Sequence, residues 1–104
     1  LKNIRSIAKV IRSKNSSPFE LTLDIILKER ADFVKLREQN AVTRERIAQL
    51  YGIGIDEVGK VIYFEPAKAI KIGLRRAVSS GAPGDSDVYG AQQHAPLLEL
   101  DFDL

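Results

Sequence analysis

The apolar positions of this chain alternate in some stretches and recur at helical spacing in others. Phe19 to Lys28 has period two: Leu21, Leu23, Ile25 and Leu27 share one face, and Glu20, Thr22, Asp24 and Lys28 share the other, interrupted by Ile26. That pattern predicts a strand with one buried face. Asp24 lies mid-strand on the less apolar face, where a solvated or paired carboxylate is expected rather than a catalyst. Ala69 to Arg76 alternates as well, with Ile70, Ile72 and Leu74 inward and Lys71, Gly73 and Arg75 outward. Val61 to Glu65 is continuously apolar until its last residue, which predicts a central strand ended by Pro66. The join Glu65-Pro66-Ala67-Lys68 is short enough for a hairpin. Leu98, Leu100, Phe102 and Leu104 alternate with three carboxylates. They predict a final strand that either closes the sheet or adds to a partner's edge.

Helices are expected between these strands. Residues 29–41 are rich in good helix formers, with Phe33, Val34 and Leu36 as the apolar stripe and Asn40 as the stop. Thr43 is an N-cap, Glu45 suits the first turn, and Ile47, Leu50 and Tyr51 form an i, i+3, i+4 stripe before Gly52 at the C′ position. The run T-R-E-R-I-A-Q-L-Y-G is similar to the first helix of a helix-turn-helix. A strand follows where a recognition helix would be needed, which counts against that assignment. The first twelve residues support two patterns. Leu1, Ile4, Ile7, Ala8 and Ile11 recur at helical spacing, whereas β-branched Val10-Ile11 beside a polar stretch predicts a strand from Ile7 to Arg12. The strand is the preferred expectation. Ser13-Lys14-Asn15-Ser16-Ser17-Pro18 is expected to break it as a loop. The fold class is therefore α+β: a single domain over residues 1–104, with four or five mostly antiparallel strands and two helices on one face.

Charge changes this picture more than composition does. The net charge is only +2, yet the charges are segregated. Lys2, Arg5, Lys9, Arg12 and Lys14 precede every acidic residue, and Asp85, Asp87, Glu99, Asp101 and Asp103 follow the last cation, Arg76. If the ends meet they attract; if they stay apart, each offers a signed face to a partner. The absence of Cys removes disulfides and thiolate chemistry and fits a reducing, cytoplasmic setting. No apolar run approaches the roughly 20 residues of a membrane helix, and Leu1 opens no signal-peptide pattern. Few aromatics and few cations argue against nucleic acid as a partner.

Candidate chemistry concentrates in Ser79 to Leu98, which holds three of the seven glycines, two of the four prolines and the only His. Gly81, Pro83 and Gly84 predict a tight connection, Asp85 or Ser86 a helix cap, and Pro96 the end of that helix. Asp85, Asp87, Tyr89, Gln92, Gln93 and His94 crowd six hydrogen-bonding side chains into ten residues, a density that points to a ligand site or a buried polar network. The amides can orient a ligand but cannot move protons. His94 is the candidate proton carrier, with an unperturbed pKa of about 6.5. Arg12, Lys14 and Asn15 supply cations and an amide. If their loop lies beside residues 84–95, the two make a polar pocket for an organic acid or acyl thioester. No dinucleotide fingerprint, phosphate loop, nucleophile elbow or His pair at metal spacing is present. No cofactor is indicated.

Two motifs carry a family resemblance: R-S-K-N-S-S-P-F-E-L-T-L-D-I at 12–25 and G-D-S-D-V-Y-G-A-Q-Q-H-A-P-L-L at 84–98. Through them the chain resembles an uncharacterised small-protein family found beside, or fused to, acyclic-terpene-utilisation (AtuA-type) proteins. It is also similar to the ferredoxin-like C-terminal domain of those proteins. The resemblance implies an accessory small subunit of a complex that degrades branched acids or acyl thioesters, with hydratase- or lyase-like chemistry in the large partner. Lys14-Asn15 stands where the larger proteins' domain reads Gly-Asp, so no role of that acidic residue carries over. An autonomous hydratase or lyase acting as a homo-oligomer, and a purely structural interaction module, are the alternatives.

Overall fold

In the computed structural model, which describes residues 1–17, 19–75 and 94–104, the chain enters through a two-residue strand, β1 (Lys2–Asn3), and one helical turn, α1 (Ile4–Ile7). The Asn3 side chain caps that turn, its Oδ1 accepting from the Arg5 amide at 3.0 Å. Both early patterns are therefore realised in succession, because a long strand, β2 (Ala8–Ser17), follows directly. β2 runs straight through the polar stretch expected to break it. Ser13 pairs with Leu23, Lys14 with Thr22 and Asn15 with Leu21, so the ladder to β3 (Glu20–Leu27) sustains a conformation that local propensity does not favour. The stretch expected to be a loop is strand as far as Ser17.

Two helices come next, α2 (Arg30–Gln39) and α3 (Arg44–Tyr51). Asn40 closes α2 at φ 49°, and Gly52 closes α3 at φ 65°, both in the left-handed region. The Thr43 hydroxyl accepts from the Arg46 amide at 3.1 Å, as its N-cap position requires. A 3₁₀ turn (Ile55–Glu57) leads into β4 (Val58–Phe64), and a second (Glu65–Ala67) makes the expected hairpin to β5 (Ala69–Arg75). A third 3₁₀ turn (Ala95–Glu99) precedes the short β6 (Asp101–Phe102). Pro96 lies within its first residues, and the helix it was expected to end or kink falls outside the described residues.

The main sheet is antiparallel in the order β2-β3-β5-β4, and β1 pairs with β6 in a separate ribbon. The result is an α+β domain with a mostly antiparallel sheet, compatible with the ferredoxin-like class. β4 is an edge strand rather than the expected central one; β3 and β5 are central. β4 also starts three residues earlier than its apolar run, because Val58 pairs with Leu74 and Val61 with Ile72. Two residues, Gly59 and Lys60, stand opposite the single Gly73, a bulge of one extra residue that turns both valines toward the core side. A Cβ on Gly59 would stand 3.3 Å from the Gly73 carbonyl oxygen, so the two strands need that glycine for their close approach.

One core joins these elements. Leu21, Leu23, Ile25 and Leu27 of β3 and Ile70, Ile72 and Leu74 of β5 meet Phe33 and Leu36 of α2, Ile47 of α3 and Ile4 of α1. Leu97, Leu100 and Phe102 complete it from the C-terminal side. The strict alternation expected for 98–104 therefore fails at its start, since the 3₁₀ turn buries Leu97 and leaves Leu98 half-buried. The terminal strand closes onto β1 of its own chain.

Candidate functional site

Helices cover one face of the main sheet. The other face carries the outward-pointing residues of all four strands, and register decides which of them meet. Arg12 of β2 pairs with Asp24 of β3, and Asp24 with Lys71 of β5, so the three stand in one row across the sheet. The Arg12 Nε donates to Asp24 Oδ2 at 3.2 Å, and the Lys71 Nζ stands 3.5 Å from Oδ1. Asp24 is only 2% exposed. A carboxylate removed from water that far is tolerable only when ion-paired, and its neighbours supply the pairing. The two cations keep about half of their side chains in solvent, 53% for Arg12 and 42% for Lys71. Lys14, two residues along β2, is exposed on the same face.

The adjacent row is apolar. Val10 pairs with Ile26, Ile26 with Ala69, and Ala69 with Phe64. Phe64 is 44% exposed, and Ile62, registered to Lys71, is 49% exposed. These large apolar side chains are grouped on the sheet face that no described helix covers, unlike apolar residues scattered singly over a surface. A second surface feature is a groove of about 350 Å³ at the Gly59 bulge, lined by Glu20, Asp56, Glu57 and Arg75 among others. Among the described residues no three acidic or His side chains converge to hold a metal ion.

The expected site residues separate in this frame. Arg12 and Lys14 point to the open face, whereas Asn15 follows Ile11 and Ser13 onto the helix side of β2 by alternation. His94 is half-buried at the start of the third 3₁₀ turn, which packs against α1 and α3. Its carbonyl accepts from the Leu97 amide at 2.9 Å, and its buried Nδ1 makes no hydrogen bond among the described residues. No hydrogen bond or ion pair among the described residues joins His94 to Arg12 or Lys14. Asp85, Asp87, Tyr89, Gln92 and Gln93, with the expected turn and helix cap around them, lie outside the described residues.

Register also assembles residues that the strand patterns left apart. Asp24 was expected to be solvated or paired, and pairing is what it has. On the sequence pattern alone Lys71 is only an outward position. Both were marked by alternation as outward on their own strands, but alternation alone cannot say that three outward positions share a row. Other polar contacts, part-buried and exposed, hold the frame. The Tyr63 hydroxyl accepts from the Val42 amide at 3.0 Å and donates to the Val42 carbonyl at 2.9 Å. Burial raises the Tyr63 pKa above its ordinary value, with the Val42 bond opposing. The Arg46 guanidinium bonds the carbonyls of Ala41 and Asp101 and lies 4.9 Å over the Phe102 ring. Glu65 joins the two ends of α2 to the β4–β5 hairpin through Arg30 and Arg37, and the hydrogen bond and charge of Arg37 lower its pKa.

Comparison with known proteins places the chain in a family. Residues 4–101 match the family described as a domain of unknown function (DUF4387), so the chain belongs to that family. No curated protein and no solved structure matches it.

Proposed function

We propose that this chain is the accessory small subunit of an AtuA-type complex that degrades organic acids or acyl thioesters. It docks through the open face of the main sheet and lends the complex a polar, cationic edge. The observation that carries this reading is the composition of that face: Phe64 and Ile62, both near half exposed, beside Arg12, Lys14 and Lys71. A helix layer covers the other side, so a partner would complete a second layer here. Its apolar centre would meet the Val10–Phe64 row, and its acidic rim, or an acidic ligand held between the two proteins, would meet the cations.

Light scattering on the chain alone and on the chain co-expressed with a large AtuA-type protein tests this. A stable mixed complex is expected, and Phe64→Asp should abolish it while leaving the fold intact, because Phe64 is not part of the core. A homo-oligomer that ignores the large protein refutes the proposal and shifts the search to an autonomous enzyme. Loss of a measured activity on His94→Gln would then be the next test.

A further inference from the structure

The Arg12–Asp24–Lys71 row has more cation than its position in the fold requires. One buried carboxylate is flanked by two cations on neighbouring strands, and Lys14 adds a third on the same face. The charges of Arg12, Asp24 and Lys71 sum to +1. Glu20, the other carboxylate of β3, is registered to Arg75 at the far end of the strand pair and does not neutralise this row. Arg12 uses only its Nε on Asp24, and its two Nη groups make no hydrogen bond among the described residues. The outer edge of the guanidinium, which matches a carboxylate bidentately, is thus not taken by a described residue, and the side chain as a whole is 53% exposed. Asp24 fixes the direction of that edge from below.

We infer that this row is a binding site for the carboxylate of an organic acid with an apolar tail. The carboxylate sits on the Arg12 Nη edge and the Lys71 ammonium. The tail lies over the next row, Val10–Ile26–Ala69–Phe64. Same-face rows are about 7 Å apart along a strand, and four strands span about 14 Å at their usual spacing. A six-carbon acid is long enough to reach from the cations to the apolar row, and acetate is not. The inference deepens the proposed function, on whose face it rests, by naming the ligand class, but it concerns the chain by itself.

The test is a titration of the isolated, isotope-labelled 104-residue chain with hexanoate, followed by amide NMR shifts. Acetate, inorganic phosphate and hexanamide serve as controls. Hexanoate should give saturable shifts at Val10, Arg12, Asp24, Ile26 and Lys71. Acetate and phosphate should bind at least about ten-fold more weakly, and hexanamide should not saturate. Arg12→Lys keeps the charge but loses the fork, and Lys71→Gln removes a half-exposed cation. Each should weaken hexanoate at least about five-fold in a chain whose remaining spectrum is unchanged. Unsaturable shifts, shifts that map elsewhere, phosphate equal to hexanoate, or an unaffected Lys71→Gln would overturn the site. Mixed-complex formation without hexanoate binding overturns this inference and leaves the docking proposal standing. Saturable binding at this row without a mixed complex does the reverse.

Discussion

Tyr63→Phe removes one oxygen from the edge strand that presents Ile62 and Phe64. In the native chain that oxygen serves both main-chain groups of Val42, at 3.0 Å and 2.9 Å, and Val42 is 1% exposed. No other described main-chain partner serves them. Val42 lies between α2 and α3, so neither helix can take over its amide or carbonyl. The ring itself loses nothing: Phe at this position keeps the edge contact with Phe33, whose centroid is 6.2 Å away at 73°. The cost is therefore two hydrogen bonds, each contributing about 1 kcal/mol net, together with a buried amide and carbonyl left unpaired. Partial entry of water offsets some of that, which leaves a loss of about 2 kcal/mol. For a domain of this size, that lowers Tm by roughly 10 °C. Circular dichroism melting and urea unfolding at neutral pH would measure it, with the urea slope unchanged. Hydrogen exchange supplies a local readout, since the Val42 amide should lose protection selectively. A Tm within about 2 °C of the native value, with Val42 still protected, would refute the claim that this phenol holds the α2–α3 junction to β4.

Three further outcomes are expected. Gly52→Ala places a Cβ in the left-handed region at φ 65° with no atom within 4 Å, so the cost is conformational alone, about 1 kcal/mol by urea unfolding; Gly52→Asn should cost less. On acidification, Glu65 loses its ties to Arg37 and Arg30: its folded pKa is lowered from the ordinary 4.5, so its contribution is present above that value and is lost as pH falls through the folded pKa. Glu65→Gln should flatten that part of the stability profile and little else. At alkaline pH the sign is opposite, because burial raises Tyr51 and Tyr63 above the ordinary 10.0; their contribution is complete below that value and falls as pH rises beyond it, which ultraviolet difference titration would follow as delayed phenolate formation.

The parts of the fold legible in the sequence are those that local chemistry determines. Thr43 and Gly52 bound α3 because a hydroxyl cap and a left-handed residue are local requirements. The Leu21–Leu27 alternation placed β3 because one face had to be buried. The failures have two causes. Leu97 goes inside because Pro96 lies at the start of a 3₁₀ turn, a local change of geometry that the tail's strict alternation does not anticipate. Residues 13–17 become strand only because β3 offers them a ladder. β4 begins at Val58 only because a bulge opposite Gly73 resets its alternation. Both of these depend on a partner strand. The same holds for the site, where Arg12, Asp24 and Lys71 are readable singly as outward positions, and only the register of three strands makes them a row.

Charge segregation acquires a meaning once the ends are located. β1 pairs with β6, with Asn3 opposite Asp101, and the Asn3 amide also bonds the Asp101 carboxylate at 3.0 Å and the carbonyls of Leu98 and Leu100. The acidic tail is thus drawn beside Lys2 and Arg5, and Arg46 grips the same tail through the Asp101 carbonyl and the Phe102 ring. The first part of the basic N-terminal run thereby lies beside acidic residues of its own chain. The second part, Arg12 and Lys14, sits on the face of the sheet away from the helices, and Lys71 reinforces it. Asp24 neutralises only one of these three cations. Burying a carboxylate to hold two half-exposed cations upright is costly and gives little stability in return. That expense is understandable if the excess charge serves something outside the chain, and the apolar row beside it suits the ligand inferred above, an anion with a hydrophobic body.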